Sequence, residues 1–226
     1  MLACTPRIPA FSAAAVTEAN AVPFGTSMDD SRLTLLPDPS LASFVPALQG
    51  RLTQVGRSIS AQNFSSVLDG TMKQLIQGVM DAVGANEGSV WLVDDPGEHL
   101  VIAYNTGPNA DRLVAQFKQP LTVGLVSMVF SSEQSFIENE VYKNALQDKT
   151  LDSKVKARTH AMIAVPFYFL NACRGVASCV KLDSPDLEAE AEKGFYDNHE
   201  LIFRNAIVTL GRLIEHWAIK RTIGLE

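Results

Sequence analysis

Three cysteines (Cys4, Cys173, Cys179), four histidines (His99, His160, His199, His216) and the carboxylates Asp94, Asp95 and Glu98 are the side chains here most able to do chemistry. The cysteines form no Cys-x-x-Cys pair and the histidines are scattered, so no zinc spacing is present and no metal site is expected. An odd cysteine count in a chain long enough to bury a core argues against a disulfide framework. Cys173 falls in an expected turn and Cys179 on the strand that follows, a spacing that does not oppose them as a redox pair. A surface thiol and a small core residue are the expected roles. Asp94, Asp95 and Glu98 bracket Pro96-Gly97 and read as a solvated hairpin tip rather than as acid–base groups. His160 stands where a polar stretch meets a strand, a position suited to an imidazole that faces a ligand. No Ser-His-Asp constellation and no glycine-rich phosphate loop can be assembled, so no catalytic residue is assigned.

The composition narrows the partners. The chain has 226 residues, is 46% hydrophobic and 19% charged, and carries a formal charge of −6 with no long basic run. That balance does not favour nucleic acid as a partner. Polar or charged residues interrupt every apolar run well short of the ~18 residues a bilayer span needs, so a cytoplasmic protein with no membrane partner is expected.

Periodicity supplies the elements. Residues 1–39 are rich in Ala, Ser, Thr and Pro and read as a flexible N-terminal arm. From Ser40, a plausible N-cap, Leu41, Val45, Leu48, Leu52, Val55 and Ile59 fall at heptad spacing, which makes residues 40–62 a helical dimerisation segment. Pro46 requires that helix to kink or to begin after it. A second helical pattern runs from Phe64 to Val83 and ends at Gly84 or at the Asn86–Gly88 turn. Ser89–Val93 and Leu100–Tyr104 read as a hairpin, and Met162–Phe169 with Gly175–Leu182 as another, joined by residues 170–174. Pro166 predicts an edge or bulge in its strand. A short helix is expected over Leu125–Ser131, and a mobile, lid-like surface over Glu138–Arg158. The last element is a helix over 195–221 with Phe203, Ala206, Leu210, Leu213 and Trp217 on one stripe.

The order helix, hairpin, crossover, hairpin, helix predicts an α+β fold, an antiparallel sheet of five or six strands with the terminal helices on one face. Apolar residues on more than one side of those helices leave a stripe for a partner. A homodimer through Leu41, Val45, Leu48, Leu52, Val55, Ile59, Phe203, Leu210, Leu213 and Trp217 is therefore expected.

Residues 57–222 resemble a GAF domain, the small-molecule sensor module of signalling proteins. The likeness rests on Val79–Gly88 leading into SVWLVDD, on Tyr104-Asn105-Thr106-Gly107, on PLTVGLVSMVF followed by SEQSFI, and on MIAVPFYF with GVASCVKLD. It implies a loop- and helix-covered ligand cavity on the sheet face away from the terminal helices. Several subfamilies fit poorly. Cyclic-nucleotide binders carry an Asn-Lys pair and a later Phe-x-x-x-Asp-Glu, whereas Lys143-Asn144 is reversed and no such run follows. Bilin binders place a cysteine before the histidine, and Thr159 precedes His160 here. Free methionine sulfoxide reductases need cysteines near Gly124-Leu125-Val126 and Thr159-His160-Ala161, where there are none.

The expected ligand site is lined by Trp91, Tyr104, Phe130, Phe136, His160, Met162 and Ser178, although parity alone does not say which side of the strand Trp91 occupies. No residue names a cofactor. The expected function is a non-enzymatic sensor that dimerises through its helices, binds a small molecule and signals through a separate protein. Two alternatives stand beside it: a ligand-free scaffold, and a divergent thiol-dependent reductase acting through Cys173 or Cys179.

Overall fold

The computed structural model describes residues 38–183 and 194–225. The chain divides into two compact units, Met1–Ala42 and Ser43–Glu226. Residues 1–37, with the bulk of the expected arm and Cys4, lie outside the described residues. Of the first unit only 38–42 are described, within a 3-10 helix over Pro39–Phe44 in which Leu41 is 56% exposed.

The second unit begins with α1 (Val45–Ser58), which starts at Val45 so that Pro46 sits in the first turn, where its missing N–H costs nothing. The Phe64–Val83 pattern is two helices, α2 (Phe64–Val67) and α3 (Gly70–Val83). Asp69 divides them: its carboxylate accepts from the Met72 N–H at 2.8 Å and caps α3. Gly84 then closes α3 in the left-handed region.

Strands β1 (Glu87–Val93) and β2 (His99–Asn105) form the first hairpin. Asp94 fixes its tip by accepting from the backbone N–H groups of Glu98 and His99. The crossover holds α4 (Ala110–Leu113), β3 (Lys118–Pro120), α5 (Leu125–Ser132), β4 (Phe136–Glu138) and α6 (Thr150–Val155). Strands β5 (Thr159–Phe169) and β6 (Ala172–Leu182) follow, and α7 (Asp197–Ile223) ends the described chain. The sheet is antiparallel with strand order β3-β2-β1-β6-β5-β4. The fold is thus α+β and six-stranded, with α1 and α3 packed on α7.

Three expectations are corrected. The second hairpin has a two-residue turn, not a five-residue loop: Phe169 pairs with Ala172, and Leu170 and Asn171 both take positive φ. The Leu170 N–H donates to the Glu215 carboxylate of α7 at 2.7 Å, which holds that turn in place, and Cys173 accordingly lies on β6 opposite Tyr168. The expected lid is not featureless, since Val141–Lys143 forms a 3-10 turn and α6 follows it. Phe203 and Leu210, expected at a dimer interface, are 1% and 0% exposed in the protomer's own core, because α7 covers the sheet with that stripe. Leu213, Trp217 and Ile59 are half-buried against the same core. Leu52 and Val55 are also half-buried, while Val45 and Leu48 are 44% and 43% exposed. Pro166 lies beyond the β4 pairing, which stops at Ala164, so it does occupy an edge of β5.

The core has two layers, one between the sheet and α2, α3 and α7, the other between the sheet and α4–α6. Edge-to-face packing of Phe64 on Phe167, centroids 6.2 Å apart, belongs to the first. There α7 comes so close to β5 that a Cβ on Gly211 would stand 2.2 Å from the Tyr168 carbonyl oxygen. Gly211→Ala is therefore expected to lower the unfolding free energy by about 1–3 kcal/mol as α7 is pushed off the sheet. Gly78→Ala in α3, where a Cβ would meet nothing within 4 Å, is expected to raise it by about 0.5–1 kcal/mol. Urea unfolding midpoints check both.

Candidate functional site

Strand alternation builds the floor of a cavity. Val90 and Leu92 of β1 enter the helix-side core, which turns Trp91 to the opposite face together with Glu87 and Ser89. Ser89 pairs with Ser178 of β6 on one side and Asn105 of β2 on the other, while Glu87 pairs with Val180, which in turn pairs with Met162 of β5. The polar members of this floor satisfy one another. The Trp91 indole Nε1–H donates to Ser178 Oγ at 3.1 Å, and Asn105 Nδ2 donates to Ser89 Oγ at 2.9 Å. Asn105 Oδ1 accepts from the Gly107 N–H at 2.8 Å.

The roof comes from the crossover. Gln119 of β3 donates through Nε2 to the Val123 carbonyl at 2.8 Å and to Ser127 Oγ at 3.3 Å, tying the loop before α5 to the sheet edge. That loop turns at Gly124, whose φ of +89° and whose closeness to Gln119 Nε2, 2.1 Å from where a Cβ would sit, both demand glycine. Asp152 of α6 accepts from the Thr159 N–H at 3.0 Å and from Thr159 Oγ1–H at 2.8 Å, which fastens α6 to the first residue of β5. The same carboxylate takes a hydrogen bond from Gln147 Nε2 at 3.0 Å. Because a carboxylate only accepts, Gln147 must present its amide nitrogen there. Its Oε1 is then buried with no hydrogen-bond partner.

Between floor and roof lies a cavity of about 70 Å³, lined by Trp91, Leu113, Val126, Leu151 and Met162 among others. A single buried water needs roughly 10–15 Å³ on such a measure, so the space suits several waters or one small molecule. Glu87, Asp148 and Asp152 contribute carboxylates to the lining, and among the described residues no Lys, Arg or His lines it. Burial pushes the Glu87 carboxyl above its ordinary range, with a hydrogen bond from Asn105 pulling the other way.

The structure brings three of the expected ligand-site residues, Trp91, Met162 and Ser178, to this cavity. Phe130 and Phe136 pack into the apolar cluster on the same side of the sheet but do not line it. Tyr104 lies on the other side. A bulge between Val90 and Trp91 shifts the register and leaves Tyr104 against the helix-side core, where burial raises its phenol. His160 is the extra residue of a second irregularity, between Thr159 and Ala161. Its Nδ1 lies 3.0 Å from the Asp183 carboxylate and its ring 5.7 Å from that of Tyr142, away from the lining. Thr159 lines the cavity instead. Glu87 and Ser89 were missed although period-2 alternation around Trp91 could have found them; Asn105 lies past the bulge, and Gln147, Asp148 and Asp152 lie in an aperiodic stretch that gave no signal.

Neither described cysteine reaches the cavity. Cys179 is buried on the helix side, where burial pushes its thiol up to about 12, and burial likewise raises Cys173. Among the described residues, no cluster of three or more His, Cys, Asp or Glu side chains is placed to hold a metal ion. No described helix is long and apolar enough to cross a membrane.

The sequence matches no protein-family model and no curated protein. Solved structures do resemble the fold. The GAF domain of a phosphoenolpyruvate-protein phosphotransferase from Coxiella burnetii superposes with a TM-score of 0.54 at 14% identity, over 81% of this chain and 97% of that one. The GAF-B domain of DevS from Mycobacterium smegmatis gives 0.51 at 12% identity, over 70% and 98%. A type II free methionine-R-sulfoxide reductase from Thermoplasma acidophilum gives 0.50 at 14% identity, over 70% and 97%. The chain therefore has the GAF-domain fold, the architecture its sequence motifs suggested.

Glu87 provides a test of the cavity's electrostatics. An acid raised in the folded state is destabilising once pH climbs from its ordinary range through the raised value, and neutral in effect below both. Glu87→Gln is thus expected to melt higher than the parent at pH 7, with the difference closing near about pH 3. Equal differences at both pH values would show that the carboxyl is not desolvated by folding.

Proposed function

We propose that this chain is a non-enzymatic, small-molecule-sensing regulatory domain that works as a helix-mediated dimer and passes its signal to a separate protein. The observation that carries this reading is the cavity between the sheet and α4–α6, with an apolar wall and the unsatisfied Gln147 Oε1. Among the described residues, the cavity lining contains no cysteine and no histidine, so it supplies no group for thiol or imidazole chemistry. A reductase of the kind found in Thermoplasma acidophilum would require Cys173 or Cys179 to work from outside that lining.

The exposed apolar surface that supports the dimer reading differs from the stripe expected from sequence. Val45 and Leu48 of α1 are exposed, and Leu201, Val208 and Ile219 form an exposed apolar line along α7. The spacings of seven and eleven residues return to one side of the helix, opposite Phe203 and Leu210. A second copy placing the same surface there would bury both halves at once.

Native mass spectrometry followed by denaturing mass spectrometry tests the ligand and the assembly together. The expected result is a dimer with additional mass that denaturation releases. Leu48→Glu and Val208→Glu are each expected to give a monomer by light scattering. A dimer with no added mass, and no thermal shift across a metabolite panel, would favour the ligand-free scaffold instead.

A further inference from the structure

We propose that the ligand of this cavity is a small protonated amine with a short hydrocarbon tail, an inference that rests on the sensor reading above. The lining offers acceptors without a balancing cation. Gln147 Oε1 is buried and unpartnered, and Glu87 adds a half-buried carboxylate. Asp152 is committed elsewhere, since both of its oxygens receive hydrogen bonds from Thr159 and one also from Gln147. Asp148 uses one oxygen on Thr150 and retains the other. An ammonium group has three donors and no acceptor, so it can serve Gln147 Oε1 and a carboxylate at the same time.

Other ligand classes fit less well. An anion would enter a space lined by Glu87, Asp148 and Asp152 and by no basic side chain. A zwitterion such as an α-amino acid would satisfy the acceptors with one end and leave its own carboxylate facing carboxylates. A hydrocarbon would occupy the walls at Trp91, Leu113, Val126 and Met162 but leave the glutamine oxygen unmet. The cavity of about 70 Å³ limits the tail to a few carbons.

An isosteric series separates these cases. Titration calorimetry of the full chain at pH 7 with n-butylamine, n-butanol and butyrate varies charge at nearly constant shape. Butylamine is expected to bind at least about tenfold tighter than butanol, and butyrate not to bind. Glu87→Gln and Gln147→Met are each expected to weaken butylamine by about fivefold or more while leaving butanol unchanged, with circular dichroism confirming that both fold. Binding of butyrate or butanol as tightly as butylamine would overturn the amine assignment and leave the sensor reading standing. Amine binding that both variants retain would overturn it too, by placing the amine elsewhere. Failure of all three ligands, together with no thermal shift across a metabolite panel, would overturn both.

Discussion

A sheet covered on both faces has no solvent side to which a polar side chain can turn, and this constraint shapes the second unit of the chain. Val90 and Leu92 enter one core while Trp91 enters the other, so the central strands read as nearly continuous apolar runs. Polar residues on such a strand must find partners inside the protein. Ser89, Ser178, Asn105 and Trp91 do so with one another. These four residues line the cavity beneath the crossover helices.

The same constraint explains what the sequence made legible. Periods of 3.6 and 2 mark elements by their buried faces, so the terminal helices, both hairpins and the α+β order were readable. Bulges were not, because a single extra residue leaves no compositional trace yet reverses every side chain beyond it. Tyr104 and His160 were assigned to the ligand site, and each stands at an irregularity. The turn at Leu170-Asn171 was unreadable for a different reason. Leucine rarely takes positive φ, and it does so here because Glu215 of α7, far along the chain, binds its N–H.

Apolar pattern alone also failed to divide the buried stripe of α7 from its exposed one. A helix of 27 residues that crosses a sheet buries the stripe of Phe203, Ile207, Leu210 and Ile214 whatever else it does. Leu201, Val208 and Ile219, spaced by seven and eleven residues, return to the opposite side of the helix and stay exposed. Burial in the folded protomer separates the two sets; composition treats them alike.

Strand β5 connects these regions physically. Its first residue, Thr159, is held by the Asp152 carboxylate that also orients Gln147 over the cavity. Its far end supplies the Tyr168 carbonyl against which α7 packs at Gly211, and the turn that follows is tied to Glu215. Both attachments leave little slack: one is a three-bond carboxylate clasp, the other a contact with no room for a methyl group. Strand β5, 11 residues long, is thus attached to the cavity roof at one end and to α7 at the other, with a register irregularity near each end. Contact alone does not make a switch, however. A ligand shifts the packing of α7 only by the difference in its affinity for two arrangements of the protein.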